Sequence, residues 1–145
     1  MFQHLYGFQS APFARTLNTG DVLATPCVKE LLARLTLAVR EKGIALVTGE
    51  VGSGKSTAVR AFIASLDANR HALLYLTLPI NSPTALYRQL LTTLNQPVPF
   101  GAAAQIAALR NALAELIQAH RKTPVIVIDE AHLLPHSLID PLRTL

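Results

Sequence analysis

The octapeptide GEVGSGKS, residues 49–56, constrains this chain more than any other feature. It fits G-x-x-x-x-G-K-[ST] at every fixed position. Before it stands IALVT, residues 44–48, a short apolar run without polar alternation, which reads as a strand buried on both faces of a parallel sheet. After it, from Lys55 to about Leu66, the pattern reads as a helix. Strand, glycine-rich loop and helix together make a phosphate cradle: the glycines let successive backbone N–H groups turn inward, and the positive end of the helix adds a favourable field. In this reading Gly49, Glu50, Val51, Gly52, Ser53, Gly54, Lys55, Ser56 and Thr57 surround a nucleotide's phosphates. Lys55 reaches the β- and γ-phosphates, Ser56 offers its hydroxyl to Mg²⁺, and Thr57 touches the α-phosphate. The Glu50 side chain should point outward, away from bound anions. The plain alternative is a glycine-rich turn carrying a solvated lysine.

A second motif favours the phosphate reading. VIVIDEAH, residues 125–132, runs four apolar residues into two adjacent carboxylates, which a structural strand has little reason to do. Phosphoryl transfer to water needs charge neutralisation at the γ-phosphate and a positioned nucleophile, so one acid serves the metal and the other the water. Consecutive strand residues point to opposite sides, but at a strand end the second residue is already entering the loop. Asp129 is therefore the metal-side acid and Glu130 the base. The expected site is Lys55 and Glu130 as catalytic groups, Ser56 and Asp129 as metal ligands, with ATP and Mg²⁺ as cofactors. His132 is either a γ-phosphate or subunit contact or merely a polar surface group, and His4, His71 and His136 show no ligand spacing.

The remaining pattern alternates helices with strands. Thr25 and Pro26 read as an N-cap and first helical residue, and Val28, Leu31, Leu32, Leu35 and Val39 recur on one face until Gly43. ALLYLTL, residues 72–78, predicts a second buried strand closed by Pro79. Asn81 or Ser82 caps a helix that buries Leu86, Leu90, Leu91 and Leu94. QPVPFG breaks it at residues 96–101, and a helix over residues 102–120 places Ile106, Leu109, Leu113, Leu116 and Ile117 on one face. Residues 125–128 are the third strand. This is an α/β chain with a parallel sheet. Residues 1–25, irregular and dotted with aromatics, are expected to drape over the body formed by residues 26–145.

Composition sets the bounds. The 145 residues fit one domain, half of them hydrophobic and 15% charged, below the roughly 25% of ordinary globular chains. The net charge of +4 and pI near 9.6 permit contact with nucleic acid, but the basic residues are scattered rather than gathered in a stripe. The single cysteine, Cys27, excludes an internal disulfide and reads as a buried structural thiol. With no signal-peptide h-region and no uninterrupted apolar span, a cytoplasmic location is expected.

These motifs resemble the AAA+ ATPases, and more narrowly the ExeA-like group, which includes secretion-pathway ATPases and transposition-helper (TniB-like) ATPases. The likeness rests on Gly7-Phe8 followed by Pro12-Phe13, on LVTGEVGSGKST at residues 46–57 and on VIDEAHLL at residues 127–134. It implies a P-loop three-layer sandwich with the sheet ordered 5-1-4-3-2, an N-terminal segment near the adenine, and an ATP-dependent oligomer. By the same resemblance the partners are DNA and a transposase, or alternatively a membrane secretion partner. LATP at residues 23–26 and the stretch over residues 40–57 lean toward transposition. The chain departs from the family in carrying Pro141 inside a predicted helix, where a proline costs about 3 kcal/mol or kinks the helix. It also lacks fourth and fifth strands, sensor, arginine finger and helical lid, Arg143 lying too near the acids for the finger. An arginine finger is worth about 10³–10⁵ in rate, so this segment alone is expected to bind nucleotide poorly and hydrolyse it slowly. Two other classes compete: a binding module that nucleotide only stabilises, and a DEAH helicase, for which no second helicase motif is present.

Overall fold

The structure, a computed structural model, describes residues 25–145. The expected packing of the aromatic N-terminal segment falls on residues 1–24, outside the described residues. The chain divides into two compact units, the first running up to Ser65 and the second from Leu66 to Leu145.

In the first unit, α1 (Pro26–Arg40) begins as the sequence indicates: the Val28 N–H donates to the Thr25 hydroxyl at 3.3 Å and Pro26 occupies the first turn. It ends three residues before Gly43. Lys42 takes the left-handed conformation, φ 54°, its N–H donating to the Val39 carbonyl while that of Gly43 donates to the Ala38 carbonyl at 2.8 Å. That pair of bonds is a Schellman closure. Val28, Leu31, Leu32, Leu35 and Val39 form the half-buried face, and α1 packs on α2 (Lys55–Ser65), which buries Ala58 and Phe62. Cys27 is exposed, contrary to the buried thiol expected of it, because it falls outside that face.

Residues 44–48 do not form the expected strand. No ladder includes them, and Ile44 and Leu46 are 81% and 78% exposed. An apolar run becomes a strand only when neighbours satisfy its backbone groups. Among the described residues no strand lies beside this run to do so.

The second unit holds the packed core. β1 (His71–Leu76) and β2 (Thr123–Ile128) form a parallel pair in direct register, Leu74 opposite Ile126 and Leu76 opposite Ile128. Helices α3 (Pro83–Thr93) and α4 (Ala102–Gln118) connect them and pack on one face of the pair. On α3, capped by Ser82, the buried residues include Leu86, Leu90 and Leu91; from α4 come Leu109 and Leu113. These leucines close over Leu74 and Leu76, each fully buried side chain of this kind contributing about 1.5–3 kcal/mol. Ile117, at the end of the predicted face, is exposed. β1 is not buried on both sides: Leu73 and Tyr75, on the alternate face, are 39% and 41% exposed.

The segment after Pro135 differs from a single proline-broken helix. A 3-10 turn (His136–Leu138) hands over to α5 (Ile139–Arg143), so Pro141 is the third residue of a new helix. N–H groups in the first turn have no intrahelical acceptor, and the expected proline penalty does not arise. Its turn anchors through Leu138, fully buried in the core.

Candidate phosphate loop and carboxylate cluster

The loop before α2 is shaped by its glycines. Gly52 and Gly54 have φ of 81° and 84°, and an added Cβ at either would project into open space. Their constraint is backbone conformation, because L-residues adopt this region only under strain. At Gly49 the constraint is room, since a Cβ there would meet the Ser53 hydroxyl at 3.0 Å. Ser53 donates its N–H to the Glu50 carbonyl, drawing the loop closed. Among the described residues the N–H groups of Gly52, Gly54 and Lys55 donate to no protein acceptor. Lys55 folds back over the loop, its Nζ donating to the Gly49 and Glu50 carbonyls at 2.8 and 2.6 Å. Ser56 and Thr57 are half-buried in the first turn of α2, whereas Glu50 and Val51 are exposed. A concave set of N–H donors with a lysine beside it, at a helix N-terminus, suits phosphate oxygens.

The carboxylates stand at the C-terminal end of β2. Ile128 is the last strand residue, and Glu130 has left the strand with φ 55° and ψ 37°, the left-handed region. Among the described residues the other left-handed ones that are not glycine, Lys42, Asn95 and Arg121, follow helix ends. Glu130 instead precedes a 3-10 turn (Ala131–Leu133), a conformation that for a non-glycine residue stores of order 1–3 kcal/mol and concentrates at functional sites. The turn redirects the glutamate away from the alternation of the strand, as the spacing of the acids implies. Asp129 Oδ1 accepts the Glu130 N–H at 2.9 Å, and Nδ1 of His132 lies 3.3 Å from Glu130 Oε2. His132 is thus brought to Glu130, while His71 and His136 lie elsewhere.

Tyr75, to which the sequence reading gave no role, also reaches this cluster: its hydroxyl donates to Asp129 Oδ2 at 3.4 Å. Alternation along each strand supplies only half of this relation, and the register supplies the rest. In register Tyr75 faces Val127, so Asp129, two residues further, shares its face. Among the described residues no three His, Cys, Asp or Glu side chains gather as a metal cage. A separate cavity of about 120 Å³, lined in part by Leu94, Ala112, Leu116 and His120, sits where α4 ends before β2 begins. It is at the wrong end of the strands, since ligands of parallel sheets bind outside their carboxyl ends. The loop lies in the first unit and the carboxylate cluster in the second.

The chain is 28% identical to "General secretion pathway protein A" of Aeromonas hydrophila over 152 aligned positions, which cover all of this chain and 27% of that protein. It therefore spans about a quarter of the length of this relative. No solved structure matches. Among the described residues no helix is long and apolar enough to cross a membrane. Residues 38–145, which contain both the loop and the carboxylates, match the AAA domain family, and the chain belongs to it.

Proposed function

We propose that the protein is an ATP-binding and ATP-hydrolysing switch of the ExeA-like kind, acting in the cytoplasm as an ATP-dependent oligomer. The observation carrying this reading is the cradle of residues 49–57: left-handed glycines, N–H groups without protein acceptors, and Lys55 held over them. Gly49, Glu50, Val51, Gly52, Ser53 and Gly54 surround the phosphates with main chain, and Lys55 exchanges its carbonyl partners for β- and γ-phosphate oxygens. Ser56 and Asp129 are the groups for Mg²⁺, and Thr57 approaches the α-phosphate. Bound Mg²⁺ supplies neutralisation of the charge developing on the phosphate oxygens. Glu130, turned out of the strand, orients the attacking water and accepts its proton. His132 steadies Glu130 by the contact at its Oε2.

For the partner, similarity to a protein named for general secretion supports a secretion complex. The transposition reading, with DNA and a transposase, keeps the support of the sequence over residues 23–26 and 40–57. Coupling to either partner requires that it bind the ATP and ADP states unequally. A DNA-binding titration with ATP and with ADP separates them: nucleotide-dependent, salt-sensitive DNA binding favours transposition, and its absence favours secretion.

The test of the ATPase itself is Glu130→Gln. The reading predicts that ATP affinity stays within about twofold while turnover falls by roughly 10²–10⁴, the usual contribution of a positioned general base. Turnover unchanged in Glu130→Gln would remove Glu130 from the role of base, and ATP binding without turnover in the unsubstituted protein would leave a nucleotide-stabilised binding module as the function.

A further inference from the structure

We infer that Tyr75 is a positioning residue for the Asp129 carboxylate and thereby sets the protein's Mg²⁺ affinity, an inference that rests on the reading of Asp129 as the metal-side acid. The β1–β2 register brings the two together. Leu74, Leu76, Ile126 and Ile128 face the α3–α4 core, so the alternate residues Leu73, Tyr75 and Val127 share the opposite face, which Asp129 extends beyond the strand end. Core packing does not require an aromatic ring at a position 41% exposed. Its hydroxyl is placed to donate to Asp129 Oδ2 at 3.4 Å, while Oδ1 accepts the Glu130 N–H at 2.9 Å. Contacts at both oxygens oppose rotation of the carboxylate and fix the direction of its remaining lone pairs. A carboxylate held in this way presents one geometry to a cation; a free one must be ordered when the cation binds. Tyr75 comes from a different strand, 54 residues earlier in the chain, so the constraint follows from the register and not from the DEAH motif itself.

The experiment is a Mg²⁺ titration of the affinity for a fluorescent ADP, with a metal-free reference in EDTA, on the wild-type protein and three variants. Tyr75→Phe, which removes only the hydroxyl, is expected to raise the half-saturating Mg²⁺ concentration about 3- to 10-fold, at or below the low end of the usual outer-shell effects because the contact is long and exposed. Metal-free affinity should not change. Leu73→Ala, on the same exposed face, should leave both values at wild type, and Asp129→Asn should abolish the Mg²⁺ dependence. A wild-type Mg²⁺ curve for Tyr75→Phe, with Asp129→Asn behaving as stated, overturns the role of Tyr75 alone; an equal shift in Leu73→Ala also overturns it, by showing a general effect of that face. If Asp129→Asn retains full Mg²⁺ dependence, the metal-side reading fails and this inference fails with it.

Discussion

Helices α1 and α3 have the same terminal signals and different surroundings. Each starts with a hydroxyl N-cap and a proline, Thr25-Pro26 and Ser82-Pro83, and each ends in a Schellman closure with a left-handed residue, Lys42 or Asn95. Yet α1 has no buried residue, while α3 buries Leu86, Tyr87, Leu90 and Leu91. Caps act on the nearest backbone groups, so four or five residues decide where a helix begins and stops. Burial depends on what the chain offers opposite the apolar face. For α3 that is β1 and α4 in its own unit; for α1, among the described residues, it is the short helix α2. The two apolar runs repeat the contrast, Ile44 and Leu46 lying exposed while Thr123–Ile128 pairs with β1.

The difference has a functional side. The carboxylates stand on a strand whose register is fixed by a leucine core, whereas the phosphate loop joins an exposed run to α2. The sheet therefore holds the acids through tertiary packing, whereas the loop is held by its own glycine conformations and local hydrogen bonds. Substitutions in the two helices break the comparison most strongly. Leu90→Ala, in the core, should destabilise by about 2–5 kcal/mol, whereas Leu35→Ala on the half-buried face of α1 should cost no more than about 1 kcal/mol. Urea denaturation followed by circular dichroism measures both. Equal losses would mean that α1 is as firmly packed as α3.

A smaller effect concerns Glu130. A glycine there removes the left-handed strain, so Glu130→Gly should raise stability by up to about 1 kcal/mol while abolishing turnover. A loss of stability would mean that the glutamate side chain supports its turn more than its backbone strains it. Trading strain for function in this way is expected of a catalytic position and not of a helix end such as Lys42 or Asn95.

Sequence patterns conveyed the local turns of the two motifs better than they conveyed the sheet. GEVGSGKS carries its own geometry in Gly52 and Gly54, and the step from Ile128 to Glu130 follows from where an apolar run meets two acids. Tyr75 was hidden because its relation to Asp129 exists only once β1 and β2 are in register. Residues 44–48 misled for the converse reason: the run has the composition of a buried strand, but hydrophobicity does not say whether neighbouring strands are present. Pro141 looked disruptive because the resemblance places an ordinary helix former there, while the backbone starts its helix at Ile139 and places the proline where no hydrogen bond is lost. Cys27 was misread from the average behaviour of its residue type, although the helical face containing Val28 and Leu31 excludes it.

Under the proposed function, Lys55 and Asp129 act on one magnesium-bound nucleotide. The most direct test is a double-mutant cycle on Mg²⁺-ATP affinity with Lys55→Ala, Asp129→Asn and their combination. Lys55→Ala alone should weaken binding roughly 10- to 150-fold, the equivalent of about 1.5–3 kcal/mol for a lost charge-assisted hydrogen bond. If both residues act on the same ligand, the double variant should depart from the sum of the single losses by about 0.5–3 kcal/mol. Additivity within about 0.3 kcal/mol, the behaviour of independent sites, would contradict the account.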